Sequence, residues 1–150
     1  MYFYMTTHLK FHLDKSLQEQ GVVLLQPGPG DAGFDIRSAA DYEILPNQQI
    51  LISTGLRLAI PQNWVGVVRE RSSTALKRLY CHAGVIDSNY RGEIKIVIAN
   101  GGNEPYKIQK GDKIAQLLVL PCLTLLQEVD SEEGLGATDR GEKGFGSSGR

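Results

Sequence analysis

The chain has 150 residues, the length of one ordinary domain, with 41% hydrophobic and 22% charged residues. This composition excludes disorder throughout the chain and predicts one folded core that needs no disulfide. Sixteen Lys and Arg against seventeen Asp and Glu give a net charge of −1. Nucleic-acid binding by bulk electrostatics is therefore not expected, although a few placed cations suffice to bind one phosphate chain.

The chain is expected to be a soluble intracellular protein without a membrane partner. No apolar run approaches the ~18 residues that a membrane span needs. The first residues lack the apolar stretch and cleavage site of a secretory signal. Cys81 and Cys122 stand forty-one residues apart without metal-ligand spacing, which predicts two reduced, partly buried thiols.

Short segments between glycines and prolines are typical of β-strands, because they alternate or are rich in β-branched residues. The predicted strands, in chain order, cover residues 9–13, 22–25, 49–54, 55–60, 64–68, 93–98, 114–120 and 123–129. One short helix is predicted over 72–79, with Ser or Thr as its cap and Leu76 and Leu79 on one side. The predicted fold class is all-β, an antiparallel sandwich or barrel.

The end of the chain differs in composition from the rest. Residues 134–150 hold six of the seventeen glycines and only two large apolar side chains, Leu135 and Phe145. Such a segment cannot offset its ordering entropy, so we predict a domain over 1–133 followed by a flexible arm. The cations, hydroxyls and single aromatic ring among the glycines of this segment could contact a phosphate chain and a base. An inert tail is the alternative.

Two segments carry candidate chemistry, and the chain has no P-loop, no GxGxxG after a strand and no HExxH. Asp87 follows a predicted strand end, where a carboxylate could act as a general base or simply accept amide hydrogens in a turn. Arg71, Ser72 and Ser73 open the predicted helix and could bind an anion, or could be a cap beside a surface arginine.

Five segments in order resemble the trimeric deoxyuridine triphosphate nucleotidohydrolase (dUTPase) family. They are AGFDIRSA at 32–39, RSSTALK at 71–77, GVIDSNYRGEI at 84–94, GDKIAQL at 111–117 and RGEKGFGSSG at 140–149. The resemblance implies an antiparallel β jelly-roll, or distorted barrel, that assembles as a homotrimer. It also implies active sites shared between subunits, with the arm of one subunit closing over a pocket formed by the others.

The same resemblance implies an activity, hydrolysis of dUTP to dUMP and pyrophosphate with Mg²⁺. This reaction would limit uracil incorporation into DNA and supply dUMP for thymidylate synthesis. The Mg²⁺ would be held mainly by the triphosphate and water, with no direct protein ligand. The implied location is cytoplasmic, or nuclear or within a host cell if the source is eukaryotic or viral.

The resemblance also implies roles for single residues. Asp87 would orient and activate the attacking water, and Asp35 would support the site without attacking. The residues implied to contact uracil and deoxyribose are Gly84, Val85, Ile86, Tyr90 and Phe145. Those implied to contact phosphates are Arg71, Ser72, Ser73, Gln116, Arg140, Gly146, Ser147 and Ser148. Tyr90 would leave no room for a 2′-hydroxyl.

One departure leaves alternatives to weigh. Most family members have glycine where this chain has Ser73, and Arg-Ser-Ser also occurs in the related dCTP deaminases. Those enzymes need a glutamate ten positions beyond the hairpin aspartate, where this chain has Val97. An apolar side chain cannot shuttle protons, which argues against a deaminase. A non-catalytic trimeric regulatory protein is the other alternative, although no motif is broken.

Overall fold

The computed structural model describes residues 8–139 and consists mainly of short β-strands. The strands are β1 (Lys10–Leu13), β2 (Phe34–Arg37), β3 (Tyr42–Ile44), β4 (Gln49–Ile52), β5 (Leu56–Ala59), β6 (Trp64–Arg69), β7 (Leu79–His82), β8 (Val85–Ile86), β9 (Ile96–Asn100), β10 (Tyr106–Ile108) and β11 (Lys113–Pro121). The helices are α1 (Lys15–Glu19), α2 (Ser72–Leu76) and a 3₁₀ turn, Glu132–Leu135.

All strand pairs among the described residues are antiparallel, and most join segments distant in sequence. A four-stranded sheet has the order β2-β11-β6-β8, and a three-stranded sheet has the order β4-β9-β7. Two further pairs are β1 with β5 and β3 with β10. This arrangement confirms the predicted all-β class.

The core is rich in isoleucine, and period-two alternation sends every second side chain of a strand inward. In β9, Ile96 and Ile98 are buried while Val97 is only partly covered. The buried positions in other elements include Ile36, Ile44, Ile52, Leu58 and Leu117. Branched side chains pack well on a pleated surface, which explains why these segments form strands.

Two predicted strands are absent from the structure of residues 8–139. Residues 22–25 and 123–129 form no ladder, although both are apolar enough to suggest one. Leu123, Leu125 and Leu126 are between 82% and 100% exposed, so the second segment packs against little of the described chain. The strand predicted from residue 93 begins only at Ile96, which is opposite Ile52, the last residue of its partner strand β4.

The predicted helix is shorter than expected, and its cap differs. It ends at Leu76, and Leu79 instead begins β7. Arg78 has a φ of 59°, a left-handed conformation that stops the helix between these two leucines. The cap residue is Arg71, whose backbone N–H donates to Thr74 Oγ1 at 3.1 Å. Helix α1 was not predicted.

Within residues 8–139, the helices are too short or too polar to cross a bilayer.

Candidate active site

A three-residue ion cluster occupies one edge of the four-stranded sheet. Asp35, on β2, accepts a hydrogen bond from Arg71 Nε at 2.8 Å through Oδ1. Its other oxygen, Oδ2, lies 2.7 Å from Lys113 Nζ on β11. Both oxygens are therefore engaged by cations, and the carboxylate fixes two side chains that come from distant segments.

Asp35 is held ionised by this arrangement. Partial burial alone would raise the pKa of its carboxyl group. The hydrogen bond and charge of Lys113 and the charge of Arg71 outweigh that effect and lower the pKa below its ordinary value. The cluster thus combines two basic side chains with one carboxylate, which leaves a net positive potential for an anion.

A β-bulge brings Lys113 to the same face as Gln116. Gln116 is opposite Asp35 in the ladder, and the register shifts between Lys113 and Ala115. Without the extra residue, Lys113 and Gln116 would point to opposite faces, because they are three positions apart. The bulge instead buries both Ile114 and Ala115 and frees Lys113 to reach Asp35.

Gln116 links the cluster to the end of β6. Its Nε2 donates to the carbonyl oxygen of Glu70 at 2.8 Å, next to Arg71. Gly33 permits this placement, because a Cβ there would lie 3.0 Å from Gln116 Oε1. Three segments singled out in the sequence, around Asp35, Arg71 and Gln116, therefore meet on one sheet face.

Beside the cluster lies a polar cleft of about 390 Å³. Its lining includes the cations Arg37, Arg71, Lys77 and Lys113, together with Ser73. Ser72 and Ser73 are exposed on the first turn of α2, and Ser73 Oγ lies 3.4 Å from Arg71 Nη1. Such a set of donors suits an anionic ligand.

Sequence reasoning missed three of these cations, Arg37, Lys77 and Lys113. Each of them lies inside a segment that resembles the family, and the positive charge itself was the available signal. The bulge that turns Lys113 toward the cleft has no comparable mark in the sequence, because it depends on pairing with β2.

Asp87 and Tyr90 lie in the turn that follows β8. The Tyr90 N–H donates to the Asp87 carbonyl at 3.1 Å, and the Asp87 side chain is exposed. The Tyr90 hydroxyl donates to the Glu93 carbonyl at 3.0 Å. Among residues 8–139, no hydrogen bond or ion pair joins Asp87 or Tyr90 to the Asp35 cluster.

The strand register explains this separation. Ile86 is opposite Gly66 in the β6–β8 ladder, so Asp87 follows beside Val65. Arg71 follows Val65 by six residues, which corresponds to roughly 20 Å of extended backbone at about 3.3 Å per residue. Within one chain, Asp87 and Arg71 therefore lie near opposite ends of β6.

Gly84 lets the β8 segment approach β6 closely. Its carbonyl accepts a hydrogen bond from the Val68 N–H at 2.8 Å, and its φ is +97°. An added Cβ would lie 2.9 Å from the Val68 carbonyl oxygen. Val85 is exposed and Ile86 is partly buried. Among residues 8–139, β8 is an edge strand of its sheet, so its outer side has no strand partner there.

The remaining site candidates lie outside the described residues. They are Arg140, Phe145, Gly146, Ser147 and Ser148. Within residues 8–139, no three His, Cys, Asp or Glu side chains gather as a metal-binding group. A separate apolar cleft of about 340 Å³ lies between Phe11, Phe34 and Trp64. It offers few polar groups for chemistry, so the polar cleft is the better candidate.

The fold and the site together define an antiparallel β protein with a cleft lined by several cationic side chains. The sequence pattern of the dUTPase family matches residues 20–149, which is most of the chain. The chain belongs to the dUTPase family. This finding confirms the resemblance drawn from the five segments.

Named relatives match this chain over most of its length. The deoxyuridine 5′-triphosphate nucleotidohydrolase of Clostridium novyi is 38% identical over 144 residues, covering 94% of this chain and 99% of the relative. That of Corynebacterium jeikeium is 44% identical over 126 residues, covering 81% of each. That of Monkeypox virus is 39% identical over 121 residues, covering 81% of this chain and 79% of the relative.

Solved structures share the fold. A Staphylococcus bacteriophage 80alpha dUTPase with dUpNHpp matches with a TM-score of 0.83 at 30% identity, covering 97% of this chain and 100% of that chain. The EIAV dUTPase matches with a TM-score of 0.73 at 28% identity, covering 83% and 98%. These matches confirm the predicted jelly-roll class.

Proposed function

We propose that this chain hydrolyses dUTP to dUMP and pyrophosphate, with its triphosphate held at the polar cleft and Asp87 activating the attacking water. The observation that carries the proposal is the meeting of Asp35, Arg71 and Gln116 on one sheet face. These residues come from three separate segments that resemble the family.

The cleft supplies what a triphosphate requires. Arg71 offers a fork of donors, and its orientation is fixed by Asp35 at 2.8 Å. The exposed hydroxyls of Ser72 and Ser73 and the side chain of Gln116 lie on the elements beside it. Donors that are already fixed cost little reorganisation when negative charge develops in the transition state. Asp35 would thus act by positioning Arg71.

Asp87 would act as general base from a neighbouring subunit. A base must lie within about 3 Å of the proton it removes, or act through one water. Within one chain, Asp87 and Arg71 lie near opposite ends of β6, separated by roughly 20 Å of extended backbone, which exceeds this reach. A homotrimer with shared sites satisfies the requirement, and the exposed Leu123, Leu125 and Leu126 supply apolar surface for such contacts.

The specificity of the site would depend on the β8 segment. Gly84, Val85 and Ile86 offer backbone amides and carbonyls to the uracil edge, and the Gly84 backbone is already fixed against Val68. Tyr90 would pack under the sugar and exclude a 2′-hydroxyl. The solved phage dUTPase with dUpNHpp supports a deoxyuridine nucleotide as the ligand class.

Magnesium fits this site as an ion carried by the triphosphate. Mg²⁺ binds few carboxylates and keeps phosphate and water ligands. Both oxygens of Asp35 are already bonded to cations, so this carboxylate is not free to ligate a metal directly. When bound, Mg²⁺ would neutralise phosphate charge. A solved dUTPase from phage phi11 of S. aureus coordinates a structural Mg(II) ion, which supports Mg²⁺ as the metal of this chain.

The segment from residue 134 would form a separate arm on a domain of residues 1–133. Phe145 would stack on uracil, and Arg140, Gly146, Ser147 and Ser148 would reach the phosphates. Deletion of residues 139–150 should remove most activity while the circular dichroism spectrum and the oligomeric state stay unchanged. We expect the protein to act in the cytoplasm, or in the nucleus or host cell if its source is eukaryotic or viral.

One assay tests the activity. Turnover with Mg²⁺ is measured against dUTP, dCTP, dTTP and UTP, with pyrophosphate and ammonia scored separately. Pyrophosphate from dUTP alone is the expected result. Ammonia from dCTP would indicate a deaminase despite Val97, and no product from any nucleotide would favour the non-catalytic regulatory protein. Asp87→Asn is expected to abolish turnover while nucleotide binding persists.

A further inference from the structure

The side chain of Glu93 joins two segments that are distant in sequence. Its Oε1 accepts hydrogen bonds from the Thr54 N–H at 3.0 Å and the Gly55 N–H at 2.9 Å. The Ser53 hydroxyl donates to the same oxygen. The side chain is only 18% exposed, and Lys95 Nζ lies 3.8 Å from Oε2. Glu93 is thus fixed to the turn between β4 and β5.

The backbone of Glu93 in turn holds Tyr90. The Tyr90 hydroxyl donates to the Glu93 carbonyl at 3.0 Å. The phenol lies directly against Gly92, where a Cβ would collide with it. The next residue, Ile94, donates its N–H to the Leu56 carbonyl at 2.7 Å. The anchor for the phenol is therefore itself tied to β5 and to the β4–β5 turn.

The Tyr90 ring has limited support elsewhere among residues 8–139. The residue is 46% exposed, and an exposed aromatic side chain changes rotamer on the nanosecond scale. A ring that excludes a 2′-hydroxyl must keep one orientation, because rotation would open the space it fills. The hydrogen bond to the Glu93 carbonyl supplies that restraint.

We propose that Glu93 is a positioning residue that fixes Tyr90 and thereby sets the preference for deoxyribonucleotides over ribonucleotides. This inference rests on the proposed function, in which Tyr90 packs under the sugar. In this proposal Glu93 contacts neither the substrate nor the attacking water, since its carboxylate is bonded to the β4–β5 turn. It acts only through its own main chain.

The test measures kcat/KM for dUTP and for UTP in four proteins: the wild type, Glu93→Gln, Tyr90→Phe and the double variant. Glutamine keeps the shape of Glu93 but accepts the three hydrogen bonds without a charge, and phenylalanine keeps the ring but loses the hydroxyl. Each single variant should lower the dUTP-to-UTP ratio about five- to tenfold. The double variant should lower it no further than the larger single effect.

Glu43→Gln is the matched control. Glu43 is a half-exposed glutamate on β3 that lies 3.9 Å from Lys107, so the chemical change is the same at a surface position. The dUTP-to-UTP ratio of kcat/KM in Glu43→Gln should equal that of the wild type. Melting temperature and oligomeric state are measured for every variant, so that loss of folding is not mistaken for loss of selectivity.

The outcomes separate this inference from the proposed function. A wild type that does not hydrolyse dUTP overturns the proposed function. A wild type that is active, with an unchanged ratio in Glu93→Gln, overturns only the role of Glu93. Additive effects of the two substitutions would also overturn it, because they would show that Glu93 acts by a route other than Tyr90. If Glu93→Gln does not fold, the Tyr90→Phe variant provides the test. An unchanged dUTP-to-UTP ratio of kcat/KM in Tyr90→Phe would then overturn the inference.

Discussion

Asp35 and Lys113 form an ion pair of 2.7 Å between Oδ2 and Nζ, and a β-bulge makes it possible. The bulge lets a lysine three positions before Gln116 point to the same face as Gln116. Lys113 and Arg71 then each contact one oxygen of the Asp35 carboxylate. The positive character of the cleft thus depends on how β11 pairs with β2, in addition to the identity of its residues.

Asp35→Asn should weaken substrate binding without unfolding the chain. The amide cannot hold two cations, so Arg71 and Lys113 lose their fixed positions, and we expect KM for dUTP to rise about tenfold. Asp31→Asn is the control, since that exposed aspartate accepts a hydrogen bond from the Gly28 N–H at 3.1 Å within its own turn. Steady-state kinetics checks the prediction, and an unchanged KM in Asp35→Asn would contradict it.

Subunit mixing tests whether the site is shared. Asp87→Asn and Arg71→Ala should each be inactive alone. Oligomers dissociated, mixed in equal amounts and reassembled should regain about a quarter of wild-type activity, because one site in four would then combine an intact Asp87 with an intact Arg71 from another chain. A mixture of tagged and untagged Asp87→Asn is the control. Continued inactivity of the reassembled mixture would exclude sharing of these two residues.

Gly84→Ala should destabilise the fold more than Gly30→Ala. Both glycines have positive φ, +97° and +89°, but of these two only Gly84 has backbone where an added Cβ would lie, the Val68 carbonyl at 2.9 Å. We expect the free energy of unfolding to fall by about 1 kcal/mol for Gly30→Ala and by about 2–3 kcal/mol for Gly84→Ala. Urea unfolding measures both, and equal losses would show that β8 can move away from β6.

The stability of the protein should depend on pH through Glu93. Burial alone raises the pKa of this carboxyl, but hydrogen bonds from Ser53, Gly55 and Thr54, with Lys95 nearby, lower it below the ordinary 4.5. A lowered folded-state pKa adds stability above pH 4.5, and that stability is lost as pH falls through the lower folded value.

Melting temperatures of the wild type and Glu93→Gln between about pH 2 and pH 7 check the direction of this pH dependence. The wild type should melt higher than the variant at neutral pH, and the difference should shrink below pH 4.5. Glu43→Gln is measured beside it as the matched control, because it makes the same chemical change at a half-exposed position. A difference that stays constant throughout the acid range would show that the Glu93 charge does not stabilise the fold.

The sequence by itself determined the all-β class and the family. Alternation at period two in segments such as β5 and β9 requires only local steric preferences, so strands could be predicted from it. Asp35, Arg71, Asp87 and Gln116 could be named because they lie in continuous segments that resemble the family. The strand predictions for residues 22–25 and 123–129 were wrong because apolar composition does not show whether a partner strand exists.

Only the tertiary structure decided which of these residues meet. The bulge in β11 and the register of β2 bring Asp35, Arg71 and Lys113 together, while the β6–β8 register keeps Asp87 apart from them. Register depends on hydrogen bonds and packing between segments distant in sequence, and a shift of one residue reverses the face of every side chain. Local sequence preferences carry no record of that choice.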